Sequence, residues 1–470
     1  MLAAKTKIIL LIIVFGSGYL LTACTRGFYL QTELNPTPQN SAEAPNEPDG
    51  PQPPVTPVVP VVPIIPPPPI VGSFCTVSTL YSYEGPNTNV APFAIACLQA
   101  DGTWQKQIEY TVLPPFDYST QSKDGEHFCY QPSLALAANG DFLVSFVCDN
   151  VSTWMARYVA TSGWQAPVRV DSAIPPTGNR LSGVTQFGGF VTEYNGTPMV
   201  FWSTSNWGPT VSSIVGAAVT HASVVPPPPT GLEQDDCYSL APFEDPLTKI
   251  LYVYCGNPAA GSPKVFKLLN GSYQSLGDVP TSNPLESTQY TMLSQFNGQL
   301  VLAYSATEHK DWATTVWVTR VAVLTNSGWQ VISPQLEDTP GHEGTRPFVF
   351  TKDGELHAMY FDYSTEGLPT LYNRIIGRYR VKKWNGLSWS LLPGESEAVY
   401  FSQRNEFLVD SGKVLFAAIR YNRGLSLWQK VVIGWNSGQF SLVGDIVKSC
   451  NKYAEECDIT RPGAIIKRGP

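Results

Sequence analysis

Beyond Gly72 the apolar residues of the chain fall into short runs, each entered through a polar turn. These read "NGDFLVSFVC" at Gly140, "NGTPMVFW" at Gly196, "NGQLVLAY" at Gly298, "DGELHAMYF" at Gly354 and "SGKVLFAAI" at Gly412. The runs are rich in Val, Phe, Tyr and Trp, and none sustains the 3.6-residue period of an amphipathic helix. They predict strands joined by tight hairpins, in an all-β domain.

The turns keep a period. The marker glycines are spaced by 56, 102, 56 and 58 residues, the double step skipping one unit at "LTKILYVYC", where Thr248 stands in the expected place of the glycine. A second marker, a turn running into an aromatic residue, recurs at Trp104, Trp164, Tyr273, Trp329, Trp389 and Phe440. Two markers with one period leave room for four short strands per unit. Four strands in about 50 to 60 residues, repeated radially, describe the blade of a β-propeller. The aromatic residues of the second marker are expected to pack between blades.

One more step beyond Gly412 lands on Gly469. The approach to it, "TRPGAIIKRG", matches "TRPFVFTKDG" before Gly354 and "YQPSLALAANG" before Gly140. The C-terminus is therefore expected to supply the inner strand of a seventh blade, with Ala464–Ile466 as its core. The other strands of that blade fall near residues 75–83, 91–98 and 103–112. Pairing the two ends of the chain would close a seven-bladed ring over residues 73–470 and leave no open sheet edge.

The N-terminal part has a different texture. Residues 35–72 hold 14 of the 41 prolines, which favours polyproline II and excludes a sheet. Residues 24–72 read as a stiff tether, with a proline-reading partner as the other use of such a stretch. Before it, Lys5 and Lys7 precede the apolar run Ile8–Phe15, too short to span a bilayer, as in an export signal over residues 1–23. "LTAC" resembles the bacterial lipobox, which implies lipidation of Cys24, palmitate included, and attachment to the bilayer by lipid alone. Thr25 after it implies the outer membrane.

Charge narrows the partners. The net charge of −8 becomes about −10 once Lys5 and Lys7 are removed, and no basic run is present. Nucleic acid is excluded as a partner, because phosphate contacts need clustered Lys and Arg. No cofactor-binding or metal motif occurs, and a monomer is expected. Eight cysteines remain after Cys24, an even number suited to disulfides in an exported protein. Spacing and blade geometry favour Cys129–Cys148 and Cys237–Cys255, then Cys75–Cys97 and Cys450–Cys457, with Cys75–Cys457 as the rival.

Both turn markers lie at one end of the blades. The longer, irregular connections at the other end hold the chemistry-bearing residues: His127, Asp236, His309, Trp312, His342, Glu343, Arg346, Asp362, Tyr363, Arg420 and Tyr421. A set of aromatic and polar side chains on variable loops suits a sugar, which offers a flat apolar face and several hydroxyl groups. These residues are expected at loop tips, away from the core.

The turns "ATSGW" and "TNSGW" resemble the Asp-box of sialidase-type and lectin-type propellers, keeping the Gly and the Trp without the Asp. The sialidase resemblance implies three arginines holding a carboxylate, roles open to Arg346, Arg420 and Arg461, and a Tyr–Glu nucleophile pair, open to Tyr363 and Glu343. Three functions follow as expectations: a non-catalytic module for a glycan or protein ligand, a sialidase-like hydrolase, or a scaffold for assembling envelope proteins.

Overall fold

The computed structural model describes residues 72–79, 93–110, 129–148, 152–171, 187–204, 208–215, 218–223, 239–256, 264–281, 288–309, 315–333, 335–337, 342–364, 376–400, 406–450 and 464–468. The signal segment, the tether, Cys24, His127, Asp236, Cys237, Trp312, Cys457 and Arg461 lie outside them. The described residues from Gly72 to Arg468 form seven antiparallel sheets, the blades of a seven-bladed β-propeller. Blade two runs from its inner strand Cys129–Leu136 to Gly163–Trp164, and blade three from Phe187–Tyr194 to Ala218–Ser223. Blade four runs from Ser239–Glu244 to Ser272–Asp278, and blade five from Thr288–Phe296 to Gly328–Ser333. Blade six runs from His342–Lys352 to Trp389–Leu391, and blade seven from Phe407–Asp410 to Gln439–Leu442. Blade one alone departs from chain order: Ile465–Lys467, Phe74–Thr79, Phe93–Leu98, then Trp104–Tyr110.

At Gly140 only the glycine has positive φ, whereas the other four glycine turns have it at both central residues, as in Asn297–Gly298 (49° and 75°) and Asp353–Gly354 (52° and 75°). That is the two-residue hairpin whose twist matches the strands it joins. The unit without the glycine solves the problem differently. Its positive φ falls on Lys249 (58°), not on Thr248. The turn is held by Asp245, whose carboxylate accepts the Leu247 N–H at 2.9 Å and the Thr248 hydroxyl at 2.5 Å.

The Pro-containing approach to the inner strand is a β-bulge. Register slips by one residue between Tyr130 and Ser133 and between Thr345 and Phe348, where Pro132 and Pro347 sit. A bulge leaves a residue outside the ladder, so proline, which has no N–H to give, is tolerated there. A third bulge, between Gln289 and Met292, has no proline.

The closing strand pairs Ile465 with Thr76, Ile466 with Cys75 and Lys467 with Phe74, and the Arg468 N–H donates to the Ser73 carbonyl at 2.9 Å. Its alternate residues serve different neighbours. Ala464 is buried with Phe93, Phe142 and Phe146 between blades one and two, whereas Ile465 is buried with Leu415, Ala417 and Val432 of blade seven. Polar contacts lock the same seam. Lys430, fully buried, donates to the Val77 carbonyl at 2.7 Å and the Ser78 hydroxyl at 2.8 Å. Lys467 pairs with Asp410 at 2.7 Å. The Trp104 indole donates to the Val443 carbonyl at 2.8 Å, and the Trp164 indole to the Glu109 carbonyl at 2.9 Å. These two marker tryptophans thus bond to the blade before their own.

Cys75 and Cys97 face each other in register and form a disulfide directly behind the closing strand, which excludes the Cys75–Cys457 rival. Cys148, Cys255 and Cys450 are also disulfide-bonded. Cys129 lies opposite Cys148 in the ladder of blade two.

Deleting the last 12 residues is expected to unfold the domain or lower its melting temperature by more than about 10 °C, because it exposes the inner edge of blade one, whereas a docked tail without this role is lost harmlessly. Lys430→Ala is expected to destabilise by about 1.5–3 kcal/mol per hydrogen bond lost, since bonds to a charged group are worth roughly that and solvent cannot replace them here. Chemical denaturation of both variants measures these effects.

Candidate functional site

Strand direction puts the starts of inner and third strands, and the ends of second strands, at the end of the propeller opposite the glycine turns. At the junction of blades five and six this end is polar. His342 and Glu343 open the inner strand of blade six, and Asp362 and Tyr363 close its second strand, with Glu343 opposite Tyr363 and Gly344 opposite Asp362. The third strand, Ile376–Trp384, adds Arg378 and Arg380, and the chain beyond the outer strand adds Glu395.

These side chains form two connected sets. His342 Nδ1 and Asp362 Oδ1 are 3.1 Å apart, and Arg380 Nε lies 2.9 Å from Asp362 Oδ2. Arg380 and Arg378 both reach Glu395, at 3.4 and 3.1 Å. Arg378 also donates to the Ser396 carbonyl at 3.0 Å. The Tyr363 hydroxyl donates to Glu343 Oε2 at 2.6 Å, and the main-chain N–H of Trp317 in blade five donates to the same oxygen at 3.1 Å. Glu343 therefore ties two blades together while orienting a phenol.

Exposure divides these residues. Asp362 and Tyr363 are 5% and 4% exposed, and Arg346 is 3% exposed, so none of these stands on a loop tip as expected from their polarity. His342, Arg380, Arg378 and Glu395 are partly exposed. Arg346 occupies the bulge with φ of 53°, and its N–H donates to Ser305 of blade five at 2.8 Å. Its charge opposes the burial that drives the Tyr379 phenol up from its ordinary pKa. Arg346 is thus built into the seam between blades, and its bulge is one of the recurrent ones.

Glu337, not singled out by its sequence, lies between these blades. Its carboxylate accepts the N–H and the hydroxyl of Thr319. An added Cβ on Gly344 would sit 1.4 Å from its Oε1, so only glycine fits opposite Asp362. Burial pushes the Glu337 carboxyl up to about 7, with Asp362 adding to the rise. A raised carboxyl beside a paired one is a pattern of acid catalysts. Here the repeat argues otherwise. Leu336 returns to the third strand through its N–H to Thr319, as Val170 does to Thr153 in blade two, and the next residue there is Asp171. Asp171 is also buried and also raised by burial. An acid at the same step of two blades belongs to the scaffold.

Arg420 and Tyr421 end the second strand of blade seven, Lys413–Asn422. Arg420 is held by Glu397 at 2.8 Å and Gln429 at 3.0 Å, while Tyr421, 40% exposed, packs edgewise against Trp428. Arg420 and Tyr421 belong to blade seven, but Glu397 lies on the same blade-six segment as Glu395 and Ser396, so Arg420 ties blade seven to that segment. His309 ends the second strand of blade five. Of the other histidines, His357 stacks on Phe350 at the glycine-turn end. Among the described residues no group of three or more His, Cys, Asp or Glu could hold a metal ion.

No known protein family matches the chain, and no curated protein sequence does. Among solved structures the chain is similar to a lectin of Aleuria aurantia in complex with Fucα1-6GlcNAc, at 12% identity over 68% of this chain and 96% of that one, with a TM-score of 0.36. It is also similar to a prolyl endopeptidase (12% identity, 80% and 50% covered, TM-score 0.42) and to an endo-arabinase of Bacteroides thetaiotaomicron (14%, 49% and 88%, 0.31). At these values none of them assigns a residue or a ligand to this chain.

Glu337 gives stability a pH dependence of definite sign. Its folded carboxyl, near 7, holds a proton more tightly than the unfolded one at 4.5, so its stabilising contribution is full below about pH 4.5 and is lost as pH rises through 7. Glu337→Gln is expected to flatten the fall in melting temperature between about pH 5 and 8, partly, since Asp171 acts in the same direction. Thermal melts across that range check it. Gly344→Ala is expected to lower the melting temperature at every pH by collision with Glu337.

Proposed function

We propose that the protein is an exported lipoprotein, anchored in the outer membrane through Cys24, that holds its propeller away from the bilayer on the Pro-rich tether and binds a glycan at the loop end of blades five and six. The observation that carries this reading is the connected, partly exposed set His342–Asp362–Arg380–Glu395–Arg378. It presents alternating donors and acceptors, all but Glu395 on strands, beside Trp317, while the opposite end of the blades is made of short repetitive turns. Pre-positioned hydrogen-bonding groups beside an aromatic residue are what a sugar hydroxyl face requires. A protein component of the envelope is the other occupant such a surface could take, and co-purification would reveal it.

A second reading, glycoside hydrolysis of the sialidase type, is favoured by one contact, the 2.6 Å bond from Tyr363 to Glu343 that would activate a tyrosine nucleophile. Against it, Arg420 is already paired with Glu397 in another blade, and both members of the Tyr–Glu pair are buried.

The binding reading predicts that His342→Ala combined with Arg378→Ala abolishes retention on a glycan array while the melting temperature stays within about 2 °C, because both side chains are partly exposed. Equal retention by variant and wild type would remove the site from this junction. Turnover of a fluorogenic sialoside would move the protein to the second reading. For the anchor, Cys24→Ser is expected to shift the protein from the membrane to the soluble fraction.

A further inference from the structure

The charges of the blade five–six junction restrict the class of glycan, an inference that rests on the binding reading above. The two partly exposed cations, Arg378 and Arg380, are both committed to carboxylates: Arg378 to Glu395, and Arg380 to Glu395 and Asp362. Asp362 has His342 as its other partner. The remaining acids, Glu343 and Glu337, are buried and hydrogen-bonded to blade five. Arg346 is buried at the bulge. Among the described residues this surface thus offers no uncommitted guanidinium, and Arg380 has an acid on each side, Asp362 and Glu395.

An anionic sugar would have to displace a protein carboxylate from an arginine and leave that carboxylate facing like charge, which disfavours it. A neutral hydroxyl can instead donate to a carboxylate and accept from the neighbouring guanidinium with both ion pairs kept, since each hydroxyl is donor and acceptor at once. Trp317 supplies the apolar side. It lies on the face of the third strand of blade five that carries Thr319 and Val321, the face that meets blade six.

We propose that the junction selects neutral saccharides and rejects sialylated, uronic and sulfated ones, with Glu395 as the residue that enforces the rejection by occupying both arginines. The Glu395 side chain is 41% exposed, so its replacement is expected to leave the fold intact.

The test uses the full mature chain carrying Cys24→Ser, probed on an array of defined neutral oligosaccharides and matched sialylated, uronic and sulfated ones. The wild type is expected to retain neutral members only, with affinity changing less than about twofold between low and high NaCl, since no net charge is exchanged. Glu395→Gln takes the only paired carboxylate from Arg378, leaves Arg380 with Asp362 alone, and is expected to shift the ratio of acidic to neutral binding by at least tenfold toward acidic glycans. Wild-type binding of acidic members with steep salt dependence would overturn the inference and leave the binding reading standing. Neutral binding with unchanged selectivity in Glu395→Gln would also overturn it. Retention of no glycan of either kind would remove the binding reading and the inference together.

Discussion

The structure depends on one unpaired edge. Blades two to seven are each made from consecutive strands, so each satisfies its own backbone groups as the chain folds. Blade one cannot. Its segment Phe74–Tyr110 supplies three strands, and the N–H and C=O groups on the inner edge of Phe74–Thr76 find partners only in Ile465–Lys467, almost 400 residues later. Backbone groups left unpaired in a packed seam are costly, and an open ring would present sheet faces to water at both ends. Everything clustered at that seam follows from this: a fully buried lysine, an ion pair, an indole bond, and a disulfide behind the strand.

A closed ring also explains where variability is allowed. Closure fixes blade spacing, and the glycine-turn end is then bound by hydrogen bonds from blade to blade, as from Gln295 to Asp245 and from Thr351 to the Gln295 carbonyl. The loop end carries the long connections, and there the strand ends themselves hold a polar set at the blade five–six junction. Its members other than Glu395 are strand residues, and Trp317, Ser305 and Thr319 of the adjoining blade hold the neighbouring Glu343, Arg346 and Glu337.

Much of the fold was legible in the chain because turn chemistry is local. Asn-Gly and Asp-Gly at a constant period announce hairpins wherever they occur, and a proline inside each of two inner strands marks a bulge. Lys249 shows the limit, since its turn is imposed by Asp245 and not by a glycine. The site was legible in composition but not in placement. "HEGTRPFVF" reads as a loop because His342, Glu343 and Arg346 are polar, yet it is strand throughout: Tyr363, Trp317 and Ser305, distant in sequence, supply the partners that let those groups be buried. Glu337 was invisible for the same reason. Its burial is created by Gly344 in the next blade, and a glycine inside a strand was the one local sign that something approaches closely there.

Native-state hydrogen exchange at Ile466 and Arg468, the amides that the antiparallel alternation turns toward Cys75 and Ser73, tests the central claim, that the last strand closes the ring, most directly. If it does, these amides exchange only by the global unfolding reaction, with the same opening free energy and denaturant dependence as the inner strand of blade five, despite lying four and two residues before Pro470. Exchange at the rate of a frayed terminus, while blade five stays protected, would contradict the account.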